Sequence, residues 1–167
     1  MIYRRKHLII FVLILVVLLY TIDYPQAGAK VIDYRERKAT IISIEGTVVV
    51  KKPGITDWII ASEGMVLGQD DRIRTGPLSS VEIDLNTESG KSIARLDENT
   101  IIVISMLLKE KNTGVEKTVL DVIIGDVLIE AAQLKGESTF KVATPASIVA
   151  VRGTVFEVNV SPLKRPR

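Results

Sequence analysis

The stretch Val81–Ala131, VEIDLNTESGKSIARLDENTIIVISMLLKEKNTGVEKTVLDVIIGDVLIEA, decides the fold. It opens with Val81, Ile83 and Leu85 alternating with Glu82 and Asp84. A period of two puts one face of a strand on a core and the other in water. Asn86-Thr87-Glu88-Ser89-Gly90 reads as a loop, and Ser92–Leu96 and Thr100–Leu107 as the next strands, joined at Asp97-Glu98-Asn99. The run Thr100-Ile101-Ile102-Val103-Ile104-Ser105 is apolar on both faces. Its β-branched residues are stiff in a helix and fit a pleated sheet, so it predicts a central strand covered on both sides. Lys111-Asn112-Thr113-Gly114 reads as a hairpin loop. Thr118–Ile124 and Val127–Ala131 flank Gly125-Asp126, which reads as a two-residue hairpin connection.

The same pattern continues on either side. Thr40–Val50 reads as one strand or two, with Gly46 as bulge or bend. Thr139–Ala143, Ser147–Val151 and Thr154–Val160 complete the series. Short strands with a turn signal roughly every eight to twelve residues predict an all-β domain. The expected architecture is a two-layer antiparallel sandwich or a flattened, solenoid- or barrel-like domain over residues 40–160, followed by a basic tail at 161–167.

One apolar helix is expected to precede it. Residues Leu8–Ile22 are apolar except for Thr21, with Arg4, Arg5 and Lys6 on one flank only. As a helix the run spans about 22 Å, short of the roughly 30 Å of a bilayer core. It therefore reads as a signal peptide or a signal anchor over residues 1–29, with the N-terminus inside and the body exported. Ala27-Gly28-Ala29 offers small residues for cleavage, and Pro25 ends the helix before them. Residues 30–39 read as a charged linker. Both alternatives place the body in the periplasm or on the outer face of the inner membrane, membrane-attached through residues 8–22 if uncleaved.

Composition excludes several classes of function. The chain has no cysteine, so it holds no disulfide, thiolate metal site, cysteine nucleophile or lipid-bearing cysteine. Its one histidine, His7, sits among the N-terminal basic residues and reads as a polar flank. Three of the 22 Lys and Arg and one of the 20 Asp and Glu lie in the first 29 residues, which leaves the remainder neutral and interleaved in sign. Nucleic-acid binding draws on a concentrated basic field, and none is present. Asp70-Asp71 and Asp97-Glu98 are adjacent pairs whose side chains would point to opposite faces of a strand. No glycine-rich phosphate loop occurs. Neither catalysis nor a cofactor is expected.

A family resemblance is carried by an ordered set of short pieces. Ala61–Gly76 (ASEGMVLGQDDRIRTG) has a G-x-x-L element leading into a strand that ends I-R-T-G. Gly46-Thr47-Val48 and Trp58 precede it, and Ser79-Ser80-Val81-Glu82-Ile83 follows. Then come Ile124-Gly125-Asp126-Val127, Phe140-Lys141-Val142-Ala143-Thr144-Pro145 and Val151-Arg152-Gly153-Thr154-Val155-Phe156-Glu157-Val158. In this order they resemble the FecR-domain family over roughly residues 41–160. The resemblance implies an envelope protein; the best-known members relay a signal from an outer-membrane receptor to a cytoplasmic sigma factor through an N-terminal anti-sigma segment. Only seven residues precede the apolar run here, too few to wrap a sigma factor, which points to a stand-alone exported form. The family also tends to continue beyond its V-R-G-T-x-F-x-V strand, so either the final hairpin is missing or the chain is a truncated product.

Three roles follow for consideration: an extracytoplasmic binding or regulatory module contacting an envelope protein or cell-wall polymer, a structural envelope protein assembling through sheet edges, and, without support from any constellation, an enzyme. Thr154–Val160 reads as an edge strand with Thr154, Phe156, Val158 and Val160 on one face, and with Arg152 it is the expected docking site. Thr75, Gly76, Thr144, Pro145 and Gly153 read as turn-forming motif residues. Arg72, Arg74 and Arg152 either brace turns through carbonyl hydrogen bonds or pair with Asp70, Asp71 or Glu157, or else they bind an acidic ligand. Trp58, Phe140 and Phe156 read as core.

Overall fold

The computed structural model describes residues 32–161 except Ser89, Arg152 and Thr154. The apolar segment 8–22 and the tail 162–167 lie outside the described residues. Among these there is no helix, and so none long and apolar enough to cross a membrane. The fold is all-β: thirteen strands join in one sheet that curls into an open half-barrel.

The strands are β1 (Tyr34–Glu36), β2 (Ala39–Glu45), β3 (Val48–Lys51), β4 (Ile59–Ile60), β5 (Val66–Leu67), β6 (Arg72–Thr75) and β7 (Ser80–Asp84). They continue with β8 (Ile93–Leu96), β9 (Ile101–Glu110), β10 (Glu116–Glu130), β11 (Thr139–Ala143), β12 (Ile148–Val151) and β13 (Val155–Val160). The sheet begins at Tyr34, where β1 pairs with the end of β9. Apart from the parallel pair β10–β11, every pairing is antiparallel.

The curl has a local cause. Chain paths cross from one half of the sheet to the other at corners that lie side by side. β2 turns into β3 at Gly46-Thr47, β6 into β7 at Gly76–Ser79, and β8 into β9 at Asp97–Thr100. β10 crosses as a single strand, its first half paired with β9 and its second with β8. Gly125-Asp126 is thus no hairpin. It is a bend inside one fifteen-residue strand, because β8 and β9 together offer a continuous, equally bent partner.

Buried hydroxyls hold the corners together. Thr75 Oγ1 accepts from the Thr100 amide at 2.9 Å and donates to the Asp97 carbonyl at 2.6 Å. Thr100 Oγ1 accepts from the Asp126 amide at 3.0 Å, and Ser79 Oγ from the Thr47 amide at 2.9 Å. The Gly76 amide donates to the Thr47 carbonyl at 2.9 Å. Thr75, Ser79 and Thr100 are all buried. A bend interrupts the regular ladder, and buried amides and carbonyls left unpaired are costly; these hydroxyls supply the missing partners.

Inward-facing residues of both halves meet in one core. Val48, Val50, Ile73, Ile102, Ile104, Leu120, Val122 and Phe140 come from one half, and Ile41, Leu67, Val81, Ile83, Leu96, Val127 and Ile129 from the other. The run 100–105 does form a central strand, but only its inner face is fully buried: Ile101, Val103 and Ser105 on the outer face are half-exposed.

One buried ion pair lies at the far end of β10 from its bend. Arg37 and Glu116 are both buried, with Arg37 Nη1 at 2.9 Å from Glu116 Oε1. Arg37 Nη2 also donates to Thr118 Oγ1 at 2.8 Å. Beside them Lys109 pairs with Glu88. The Lys109 hydrogen bond and its charge hold the exposed Glu88 carboxyl below its ordinary value.

Candidate functional site

The alternating pattern of β13 fixes what it shows to solvent. In register with β10, Val158 stands opposite Val127 and Phe156 opposite Ile129, whose side chains are in the core. Phe156, Val158 and Val160 therefore turn inward and are half-buried against it. Val155, Glu157 and Asn159 face out, and Val155 is 67% exposed. β10 occupies one side of β13, and among the described residues no strand pairs with the other. Arg152 and Thr154 lie outside the described residues.

A groove opens beside this edge. The β11–β12 turn and the end of β13 diverge around the bend of β10. Between them is a cavity of about 350 Å³ lined by Ile123, Ile124, Thr144, Pro145, Asn159 and Val160. The turn is built by Thr144: its amide donates to the Ser147 carbonyl at 2.8 Å, and its Oγ1 accepts from the Ser147 amide at 3.0 Å. Pro145 occupies the next position and presents an apolar ring without a donor. The structure thus brings the Thr144-Pro145 turn and Val160, from different strands' ends, to one groove. Its walls are mainly apolar, and the end of β13 borders it.

The other motif residues lie elsewhere. Thr75 and Gly76 belong to the corner network. Gly153 packs against Gln133, whose Cα is 3.0 Å from where a Cβ would stand. Arg72 and Arg74 point outward from β6 and are exposed. Neither brace nor carboxylate partner is found for them: among the described residues no ion pair includes either. Arg74 instead lies over the ring of Trp58, 4.6 Å from its centroid. Trp58 is half-exposed and outside the core. The reading of it as core fails because it precedes β4, an edge strand of two residues, where no second layer can cover it.

Asp70 and Asp71 do not act as a pair. Asp71 is buried, its Oδ2 accepting from Lys52 Nζ at 2.6 Å and from the Gly68 amide at 2.7 Å. It closes the turn before β6, and Asp70 takes positive φ in that turn. Sequence reasoning also missed the Arg37–Glu116 pair. A signal existed: Arg37 is two and four residues before buried Ala39 and Ile41, in step with the inward face. Among the described residues no three His, Cys, Asp or Glu side chains converge as metal ligands would.

The family model described as FecR protein matches residues 71–164. No curated protein and no solved structure matches the chain. The matched span runs from the buried Asp71 to beyond β13. It takes in the corners at Gly76–Ser79, Asp97–Thr100 and Gly125, the Thr144-Pro145 turn and the unpaired edge.

Proposed function

This chain belongs to the FecR family, and from that premise we propose that it is an exported, non-enzymatic regulatory module of the cell envelope that binds a protein partner by strand addition. The family supports the regulatory reading, since FecR domains occur in signal-transduction regulators. The apolar run at residues 8–22 with its one-sided basic flank supports export. The observation that carries the binding mode is the edge of β13, paired with β10 on one side only among the described residues. Unpaired N–H and C=O groups along a strand are a template for another strand, and pockets for alternate side chains give such binding its specificity. The groove at Ile123, Pro145 and Val160 is such a pocket. The partner on this reading is an envelope protein that donates an extended segment.

In-cell photo-crosslinking tests it. A photoreactive side chain at Val155 should give a discrete adduct with an envelope protein, and one at Val119, on the outer face of β10, should not. In an antiparallel strand successive amides point to opposite sides. Of Glu157→Pro and Val158→Pro, therefore, one should unfold the domain by breaking the β10 ladder. The other should leave the fold intact and abolish the adduct. No adduct at Val155, or unfolding by both prolines, would refute strand addition. An adduct of the chain with itself would favour the assembling scaffold. A reporter fused after Ser161 that is active only in the cytoplasm would refute export.

A further inference from the structure

The outer face around β3, β4 and β6 carries a second arrangement, independent of the β13 edge. Lys51 and Arg72 stand directly opposite each other on β3 and β6, and Arg74 is two residues further along, opposite Val49. Like charges directly opposite on neighbouring strands destabilise a sheet. Nothing described offsets this: none of the three forms an ion pair, although Asp57 and Asp70 are in flanking turns. Arg74 lies over the ring of Trp58, its Cζ 4.6 Å from the centroid, a cation–π contact that restrains its guanidinium. Beside the cations, Ile60 on the same outer face is 81% exposed, and Ile55 in the turn before β4 is exposed too. β4 pairs only with β3 among the described residues, so its other side is a second free main-chain edge.

From this juxtaposition we propose that the face formed by Lys51, Arg72, Arg74, Trp58 and Ile60 binds an extended acidic segment of another protein. The cations select for acidic groups. Arg72 and Arg74 project from alternate positions of one strand, about 6.6 Å apart, which is also the repeat of alternate side chains in an extended peptide. The isoleucines and the free edge of β4 select for a polypeptide. A hydrophilic anionic polymer has no use for exposed isoleucines, and only a peptide can pair with a strand edge. Tryptophan and arginine at the centre of a patch are also the residues that most often dominate protein interfaces.

Trp58 is the only tryptophan in the chain, so its fluorescence reports on the site directly. The full chain is titrated with a nine-residue peptide alternating glutamate and valine. The same titration is run with its lysine–valine counterpart, with polyglutamate, and with phosphatidylglycerol vesicles. The glutamate–valine peptide should change Trp58 emission saturably, and the lysine peptide should not. Arg72→Ala with Arg74→Ala should raise the midpoint at least tenfold while leaving the circular dichroism spectrum unchanged, since both side chains are exposed. No response to the glutamate–valine peptide, or an unchanged midpoint in the double variant, would overturn the site. A tighter response to polyglutamate would overturn the apolar part of the assignment, and a tighter response to vesicles would replace the protein partner with a membrane surface.

Discussion

Gly125→Ala puts the bend of β10 to a quantitative test. Gly125 has φ +98°, a conformation L side chains rarely adopt. An added Cβ would stand 2.3 Å from Thr100 Oγ1, 2.5 Å from Thr100 Cα and 2.7 Å from Thr100 Cβ. Two costs follow. Forcing a side chain into positive φ costs about 1–2 kcal/mol, and overpacking a filled site about 1–3 kcal/mol. Thr100 cannot step aside cheaply, because its amide is bound to Thr75 and its hydroxyl to Asp126. The expected loss is about 2–5 kcal/mol, or a Tm lower by about 8–20 °C for a domain of this size. Gly54→Ala separates the two costs. Gly54 also has positive φ, but nothing lies within 4 Å of its added Cβ, so it should show the backbone cost alone. Thermal unfolding followed by far-ultraviolet circular dichroism measures both. If Gly125→Ala lowered Tm no more than Gly54→Ala, the close packing of the bend against Thr100 would be wrong.

Thr75→Val keeps the shape but removes the hydroxyl that the Thr100 amide and Asp97 carbonyl use; it should cost about 1–3 kcal/mol by chemical denaturation, with Thr75→Ser losing much less. Arg37→Met leaves Glu116 buried without its partner and should cost about 3–5 kcal/mol, whereas Arg37→Met with Glu116→Leu should recover most of it; a double variant no better than the single one would contradict the pairing. Glu88 should titrate below the ordinary glutamate value by NMR, because the hydrogen bond from Lys109 and its charge favour the carboxylate. A folded value below the unfolded one means its contribution is present above the unfolded value and lost as the pH falls through the folded one. Lys109→Met should raise Glu88 toward the ordinary range, since Lys109 is the largest of the causes that lower it.

The strands were legible where one face is wet. Val81, Ile83 and Leu85 alternate with acids, and they face the core as that alternation requires. The bend at Gly125 was not legible as such: a glycine followed by aspartate between two apolar runs is also the mark of a tight hairpin. What decides between them is long-range, a bent β8–β9 path lying alongside. The inward face of β13 followed from period two alone, and its pairing only on the β10 side among the described residues is a fact of topology. Arg72 and Arg74 were ambiguous because sequence shows acids nearby but not where they point. Asp71 turns inward to Lys52 and the Gly68 amide, and so cannot serve the arginines. Trp58 misled because an aromatic in a small domain is usually core, and the shortness of β4 is not visible from its residue types.

The corners have a mechanical consequence. In a sandwich whose layers are joined only by loops, one sheet can slide or swing against the other at little cost. Here the main chain itself passes through the fold line at neighbouring corners, and β10 does so without a break. Sliding one half would shear the hydrogen-bonded corners at Thr75, Ser79 and Thr100 all at once. Force applied to β13 is delivered to the second half of β10 and, along that same strand, to β9 and β11 in the other half. The domain should therefore tilt or shift as one stiff piece, passing on a pull by moving bodily rather than by changing shape.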